Sequence, residues 1–385
     1  MRIRGFEFSM RELAGSMGDF GTLFPLAVGY IVYCGLNPAG FLVMMGLTNI
    51  VTGIVYRLPM PLEPMKALAV MAIAQRWPPS LIYASAFGSG LIWLLLGVTG
   101  LIDRVSVLTP RSVTRGIQVA LGLLLGIEGL KAVSTSWVLA ACALAIVALL
   151  RNNRCAPASV VLMVMGLVLV FTPLSALVGN ATLDPAKALP SFTPLPLTTF
   201  SPGEVWKAMV LAGFAQVPLT LTNAVIAASA LISRYFPDRP VPERRLAINM
   251  GIMNVVVPFF GGMPMCHGAG GLAGQYYFGA RTGGTNIIEG TLEICMGLFF
   301  ATTIHSVLGA FPQAIIGAMM LAVGFELARF ALELRGREVG VACATVVASV
   351  ALNMAAGYGV GLAVHYLFQR PSRKAAGHVR TGSDV

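Results

Sequence analysis

Long apolar segments alternate with short polar connections along almost the whole chain. They cover residues 13–34, 38–56, 58–75, 80–102, 110–130, 137–150, 158–171, 205–232, 246–260, 261–280, 286–308, 312–330, 339–352 and 355–368. Because a helix that crosses a membrane needs about 20 apolar residues, this pattern predicts an all-α polytopic membrane protein with fourteen transmembrane segments.

The longest polar connection, residues 172–202, is rich in proline and separates seven segments from seven. We predict a first repeat over residues 1–171, a second over 203–370, and a cytoplasmic tail over 371–385.

The two halves share short sequence motifs in the same order. LAGSMGDFGTLFP (13–25) aligns with LAGFAQVPLTLTN (211–223), and MGLTNIV (45–51) aligns with MGIMNVV (250–256). Matches at corresponding positions of two halves indicate an internal repeat. Since seven is an odd number of crossings, the second half must lie upside down relative to the first, which gives a 7+7 inverted repeat.

Composition and charge agree with a membrane location. The chain is 56% hydrophobic and 11% charged, whereas soluble domains carry about 25% charged residues. The net charge of +10 does not indicate nucleic-acid binding, because the basic residues lie between apolar segments with no aromatic residues interleaved. With the N-terminus in the cytoplasm, most Lys and Arg residues fall on the cytoplasmic side, as the positive-inside rule expects. The exceptions are Arg76, Lys131, Lys187 and Lys207 outside, and Lys66 within the membrane. We therefore expect a protein of the lipid bilayer, in a bacterial inner (plasma) membrane, with both termini cytoplasmic.

Two of the segments are interrupted by proline, glycine and polar residues. The third reads PMPLEPMKALAVMAIAQ (59–75) and the tenth GGMPMCHGAGGLAGQYYFGAR (261–281). Three closely spaced prolines exclude a regular helix before Pro64, which is suited to the first position of a new one. We predict one half-helix over residues 64–75 and another from about His267, after an extended stretch over residues 258–266.

Interrupted spans at corresponding positions of two halves indicate the binding site of a transporter. The two half-helix N-termini are predicted to face each other near the middle of the membrane. Each offers unsatisfied N–H donors and about half a positive charge, which together suit an anion.

Polar residues near these interruptions complete a predicted substrate site. Gln216, Thr220 and Asn223 share one face of a helix, and an ionisable residue within the membrane, here Lys66, indicates function. The predicted substrate-binding residues are Thr22, Met65, Lys66, Gln216, Thr220, Asn223, His267, Gly268 and Ala269. Structural roles are the alternatives: Lys66 would neutralise Glu63 or Asp19, His267 would cap a half-helix, and Gln216 with Asn223 would join helices.

Glu63 and Asp19 would place further negative charge beside a bound dianion. Burial and nearby negative charge both favour a protonated carboxyl group. This predicts proton-coupled symport through Glu63 first and Asp19 second. The alternative is that Lys66 keeps Glu63 ionised and that transport is uncoupled or uses another ion.

The sequence gives no sign of catalysis. The six cysteines have no paired spacing, the four histidines have no metal-ligand spacing, and no zinc-protease motif or nucleophile with a suitable base is present. We expect no catalytic residue, metal or cofactor. No P-loop is found either, so transport would be driven by a gradient.

GDFGTLFPL, PMPLEPMKALA, FAQVPLTLTNAVIA and CHGAGGLAGQYYFGARTGG resemble the molybdate transporter family, distant relatives of the sulfate permeases. The resemblance extends over nearly the whole chain. It implies the fold shared by sulfate and uracil permeases, with a core domain (segments 1–4 and 8–11) and a gate domain (5–7 and 12–14) that often dimerises. It also implies a tetrahedral oxyanion held between segments 3 and 10. The family would have glutamine at position 63, and the STAS domain of typical sulfate permeases is expected to be absent.

Molybdate is therefore the expected substrate, followed by sulfate, tungstate or another oxyanion. A nucleobase transporter on the same fold is the next alternative, although Gln216 stands where a nucleobase site would need a carboxylate. An intramembrane enzyme has no support.

Overall fold

The computed structural model describes residues 2–3, 5–18, 20–102, 110–150, 158–172 and 189–369. Most of them are helical, in keeping with the apolar segments of the sequence. The described elements of the first half are β1 Arg2–Ile3, β2 Phe6–Glu7, α1 Met10–Ser16, α2 Phe20–Cys34, α3 Pro38–Tyr56, β3 Glu63–Pro64, α4 Lys66–Gln75, α5 Pro79–Thr99, α6 Arg111–Val133, α7 Trp137–Leu150 and α8 Ala158–Phe171.

The second half is also built of helices. Its elements are α9 Pro202–Tyr235, α10 Glu243–Val256, a 3₁₀ turn Val257–Phe260, β4 Met265–Cys266, α11 Ala269–Phe278, α12 Gly284–Phe299, α13 Ala301–Gly309, α14 Gln313–Arg329, a 3₁₀ turn Phe330–Glu333, α15 Arg337–Ala351 and α16 Met354–Gln369. Helix α9 is wound more widely, as a π-helix, over Met209–Gly213 and Leu221–Ile226. Such wide turns are frequent at functional sites.

Helices of the two halves pack against each other in pairs. Helix α3 packs against α12, α5 against α10, and α6 against α14. The first of these pairs is so close that a Cβ atom on Gly46 would lie 2.4 Å from the carbonyl oxygen of Gly290. Small residues at such crossings let helix backbones approach closely inside a membrane. The two halves are therefore interleaved.

Several helices have the length and apolar character of membrane spans. Five of the described helices are long and apolar enough to cross a bilayer, and the bent pair α12 and α13 would make a sixth. Other apolar helices are shorter, among them α4 and α7. The number of fourteen crossings therefore stays a prediction.

Three predicted segments are less regular in the structure than the sequence analysis expected. The first apolar segment is two helices, α1 and α2, which separate after Ser16. The segment over residues 286–308 bends by 83° between α12 and α13. The stretch before the second half-helix begins with the 3₁₀ turn and a left-handed Gly261 (φ 80°), and its described strand covers only Met265–Cys266.

The half-helices also begin two residues later than predicted, at Lys66 and Ala269. For α4, strand pairing is the cause. Pro64 lies opposite Met265 in an antiparallel pair, and the Met65 N–H donates to the Pro264 carbonyl oxygen at 3.0 Å. The backbone stays extended until that pairing ends, so Met65 is the residue that caps α4.

Candidate functional site

Strands β3 and β4 cross where the two interrupted segments meet. They are antiparallel, with Glu63 opposite Cys266 and Pro64 opposite Met265. Each strand leads directly into a half-helix, α4 or α11, so the two helices leave the crossing in opposite directions. Their N-termini, with the N–H groups that a first turn leaves unsatisfied, therefore lie close together.

Gln216 of α9 binds one of these N–H groups. The Ala67 N–H donates to Gln216 Oε1 at 2.7 Å, and Gln216 Nε2 donates to Thr220 Oγ1 at 2.7 Å. All three residues are buried. Since the Thr220 oxygen already accepts this bond, its own O–H is left to act as a donor.

Lys66 and Glu63 form an ion pair at the start of α4. Lys66 Nζ lies 3.0 Å from Glu63 Oε2, and 23% of the lysine side chain is exposed against 1% of the glutamate side chain. The other carboxylate oxygen, Glu63 Oε1, is buried and has no hydrogen-bond partner among the described residues. The alternative interpretation of Lys66, that it neutralises Glu63, thus agrees with the geometry, and it leaves one glutamate oxygen unsatisfied.

The same carboxylate lies against the start of the second half-helix. A Cβ atom built on Gly268 would be 2.3 Å from Glu63 Oε2 and 2.6 Å from Glu63 Oε1. No side chain fits at residue 268 unless the carboxylate moves. Glu63 therefore lies against the N-termini of both half-helices.

A cavity of about 870 Å³ adjoins this crossing. Its small or polar lining residues are Gly18, Lys66, Gln118, Gln216, Thr220, Asn223, Cys266, Gly270 and Glu326. One wall comes from α2, α4, α9 and α11, and the opposite wall comes from α6, α7, α8 and α14. The lining includes Leu150 and Glu326, which lie near the C-terminal ends of α7 and α14.

At the N-terminal end of α14, helix α2 contacts it directly. The Tyr33 hydroxyl donates to Gln313 Oε1 at 2.8 Å, and the rings of Phe24 and Phe311 pack edge to face with centroids 6.4 Å apart. Gln313 is the first residue of α14. The cavity lies toward the C-terminal half of α14, and the N-terminal end of that helix is packed against α2.

Four of the predicted substrate-binding residues line the cavity, namely Lys66, Gln216, Thr220 and Asn223. Met65, Gly268 and Ala269 lie at the half-helix N-termini, and of these the Met65 N–H is already bonded. Thr22 lies in α2 with its side chain outside the described part, and Asp19 lies outside the described residues. Their contacts stay predictions.

His267 occupies a different place from the other predicted residues. Its ring nitrogens are within hydrogen-bond distance of two oxygens, Nδ1 at 3.2 Å from Pro61 O and Nε2 at 2.9 Å from Asn249 Oδ1. The ring is fully buried. The ring does not cap the half-helix, whose N-cap is Gly268 with no side-chain hydrogen bond, so that alternative was wrong. Its contacts join the two interrupted segments to α10, and its contact with substrate stays a prediction.

Several known proteins resemble the chain over nearly all its length. A family model described as "Molybdate transporter of MFS superfamily" matches residues 11–125 and 208–327, which is more than half of the chain. The chain belongs to this molybdate transporter family. Molybdate transporter 2 of Arabidopsis thaliana is 29% identical over 93% of this chain and 87% of its own length, and Molybdate transporter 1 of Chlamydomonas reinhardtii is 28% identical over 92% and 91%.

Solved structures show the fold of this family member. The transmembrane domain of the cyanobacterial bicarbonate transporter BicA matches with a TM-score of 0.68 at 16% identity, covering 90% of this chain and 97% of that domain. Murine Slc26a9, described as an anion transporter in the inward-facing state, matches with a TM-score of 0.68 at 15% identity, covering 96% and 69%. Family and apolar helices together make the chain an integral membrane protein.

The opposite wall of the cavity was missed by the sequence analysis. Gln118 and Glu326 stand among apolar residues of α6 and α14, and polar residues in such helices are a signal that could have identified them. Cys266 was not among the predicted substrate-binding residues, yet it lines the cavity. In the described part of this family member, no three His, Cys, Asp or Glu side chains are grouped so that they could hold a metal ion.

Proposed function

We propose that this chain is a secondary transporter of a tetrahedral oxyanion, molybdate, which binds where α4 and α11 begin. The observation that carries the proposal is the position of Lys66 in a cavity that is also lined by Gly270, at the start of α11. A lysine ammonium group and two helix N-termini suit a dianion, because each supplies positive charge and N–H donors.

The proposed contacts divide into direct and indirect ones. Lys66 Nζ, the Thr220 hydroxyl, the Asn223 amide and free N–H groups in the first turns of α4 and α11 contact the oxyanion. Gln216 holds Thr220 and the Ala67 N–H at 2.7 Å each, so its part is to position them as well as to offer its remaining amide hydrogen.

The charges at the site favour uptake of one proton with each oxyanion. Lys66 carries one positive charge, and the two helix N-termini contribute about half a charge each. A dianion balances these, provided that Glu63 is neutral. An ionised Glu63 would leave one excess negative charge in a buried place, where one of its oxygens has no hydrogen bond among the described residues. Glu63 is therefore the proposed proton carrier, and Asp19 the second candidate.

The geometry of the cavity supports alternating access between a core and a gate domain. The helix pairs α3–α12 and α5–α10 belong to the predicted core, and the pair α6–α14 belongs to the predicted gate. The cavity is lined by α2, α4, α9 and α11, which we assign to the core, and by α6, α7, α8 and α14, which we assign to the gate. We propose that the gate domain also forms the interface of a homodimer.

Orientation follows from the positive-inside pattern. Arg115 lies three residues before Gln118 and Arg329 three residues after Glu326, and both of these partners line the cavity. We assign this end of α6 and α14 to the cytoplasm of a bacterial inner membrane, together with both termini. The cavity then opens inward, and the contacts of Tyr33 with Gln313 and of Phe24 with Phe311 close the outer side.

The substrate is supported by the names of the relatives. The plant and algal relatives are named molybdate transporters. The structural neighbours are described as bicarbonate and anion transporters, which agrees with an anion but does not select one.

Uptake of radiolabelled molybdate into proteoliposomes tests the proposal. The purified chain should concentrate molybdate under an inward proton gradient, and unlabelled tungstate should compete. Empty liposomes and a Lys66→Ala variant are the controls. Uptake of sulfate with no uptake of molybdate would mean that sulfate, and not molybdate, is the substrate. Uptake of neither oxyanion would refute the proposal.

A further inference from the structure

The extended segments before the half-helices need hydrogen bonds that strand pairing alone does not supply. Inside a membrane every backbone N–H and C=O must find a partner within the protein. Strands β3 and β4 pair over two residues each, so each strand satisfies its neighbour on one edge only. The backbone on the other edges requires partners from elsewhere.

One such partner is Asn254 of α10. Its Oδ1 accepts the Met265 N–H at 2.8 Å, and its Nδ2 donates to the Met265 carbonyl at 2.7 Å. The same Nδ2 also donates to the Met250 carbonyl at 2.8 Å. The side-chain amide thus takes the place of a neighbouring strand, bonding both backbone groups of one residue.

Asn286 of α12 does the same for the first interrupted segment. Its Oδ1 accepts the Met60 N–H at 2.9 Å, and its Nδ2 donates to the Met60 carbonyl at 2.6 Å. That nitrogen also donates to Asn49 Oδ1 at 2.9 Å, and Asn49 Nδ2 donates to Glu293 Oε2 at 2.8 Å. We call the contacts of Asn254 with Met265 and of Asn286 with Met60 the two amide bridges.

Both bridging side chains are fully buried and use every amide hydrogen. Asn254 and Asn286 are each 0% exposed, and each donates two hydrogen bonds from Nδ2. Neither lines the cavity. They hold backbone only a few residues ahead of the half-helix N-termini that face it.

We infer that Asn254 and Asn286 are positioning residues for oxyanion binding, and that they act by fixing the extended segments so that the N–H groups of α4 and α11 converge. The inference rests on the proposed function. Preorganised donors bind more tightly because the protein does not have to order them when the ligand arrives. Loss of a bridge should therefore weaken binding although no group that touches the ligand is removed.

Asn254→Ala and Asn254→Asp are the test variants, with molybdate titrated calorimetrically into the purified full chain. Asn254→Ala should weaken binding by roughly tenfold or more at every pH. In Asn254→Asp, a protonated carboxyl can accept from the Met265 N–H and donate to its carbonyl, whereas an ionised one can only accept. The Kd of Asn254→Asp divided by the Kd of the intact chain should therefore fall as the pH is lowered. A general loss of stability would not restore binding in this way.

Asn37→Ala is the matched control. Asn37 Oδ1 accepts the Ala39 N–H at 2.8 Å and caps α3, and among the described residues it makes no hydrogen bond to either extended segment. Its loss should lower the melting temperature and leave the Kd for molybdate unchanged. If Asn254→Ala lowers the melting temperature but binds molybdate with the Kd of the intact chain, the inference is wrong.

Hydrogen exchange of residues 263–268 without ligand separates this inference from the proposed substrate. Exchange there should be faster in Asn254→Asp near neutral pH than in the intact chain, and unchanged in Asn37→Ala. The intact chain could fail to bind molybdate while exchange is still faster in Asn254→Asp. In that case the proposed substrate is wrong, but the role of Asn254 in fixing the extended segment is confirmed. Unchanged exchange overturns the bridge, and the Asp variant gives this answer even where Asn254→Ala fails to fold.

Discussion

Replacing Glu63 with glutamine should remove the dependence of molybdate binding on protons. The glutamine oxygen can still accept from Lys66, which lies 3.0 Å from Glu63 Oε2, so the local geometry is kept. The negative charge is lost. The site then has two positive charges for a dianion, with no proton required.

The size of the effect follows from the position of the carboxylate. Glu63 lies against Gly268, whose added Cβ would be 2.3 Å from Oε2, so an oxyanion at the start of α11 would be roughly 5–6 Å away by ordinary hydrogen-bond lengths. At an effective dielectric constant of about 20, a dianion and an ionised carboxylate at that distance repel by about 6 kcal/mol. This exceeds the roughly 1.5–3 kcal/mol of a hydrogen bond to a charged group, so the protonation of Glu63 dominates.

Titration of molybdate by calorimetry between about pH 6 and about pH 8 measures the linkage between proton uptake and molybdate binding. If the complex takes up one proton, the Kd of the intact chain should rise about tenfold for each pH unit. For Glu63→Gln the Kd should be nearly constant and lower at the alkaline end. Parallel pH dependences of the two proteins would refute the assignment of the proton to Glu63.

Four further changes follow from the same geometry. Lys66→Ala should weaken molybdate binding by about tenfold to a hundredfold, since a hydrogen bond to a charged group is lost, and calorimetry should show part of that affinity restored when Glu63→Gln is added. Gln216→Ala should weaken binding by about tenfold or more, because the Ala67 N–H and Thr220 lose their common partner, and an unchanged Kd would exclude Gln216 from the site. Gly268→Ala should reduce binding without lowering the melting temperature to the same degree, because the new methyl group displaces the Glu63 carboxylate. Tyr33→Phe removes the hydrogen bond to Gln313 and should shift the population toward the outward-open state by about twofold to tenfold. Labelling of cysteines placed on the outer side measures this shift. Unchanged labelling would contradict the proposal that these contacts close the outer side.

Much of the fold could be predicted because the length of an apolar segment and the positions of its prolines determine where a helix begins and ends. Helices α3, α7 and α8 begin and end at the predicted residues. The two interrupted spans were also recognisable, since prolines and glycines stand where an apolar helix would otherwise continue. These features depend on neighbouring residues, which a sequence displays directly.

The start of each half-helix could not be predicted in the same way. Pro64 is acceptable at a helix start, and only its pairing with Met265, far away in the sequence, keeps it in a strand. The roles of Asn254 and Asn286 depend likewise on contacts with backbone that no local pattern reveals. Lys66 and Gln216 could be identified because a charged or amide side chain in an apolar helix is uncommon.

The most direct measurement of the central claim is the anomalous scattering of molybdenum, recorded from crystals of the intact chain grown with molybdate. We expect a single strong peak between Lys66 Nζ and the first turn of α11, within hydrogen-bond distance of Thr220. In crystals of Lys66→Ala the peak should be weaker or lost. A peak outside the cavity, or no peak in crystals of a chain that transports molybdate, would contradict an oxyanion site between the two half-helices.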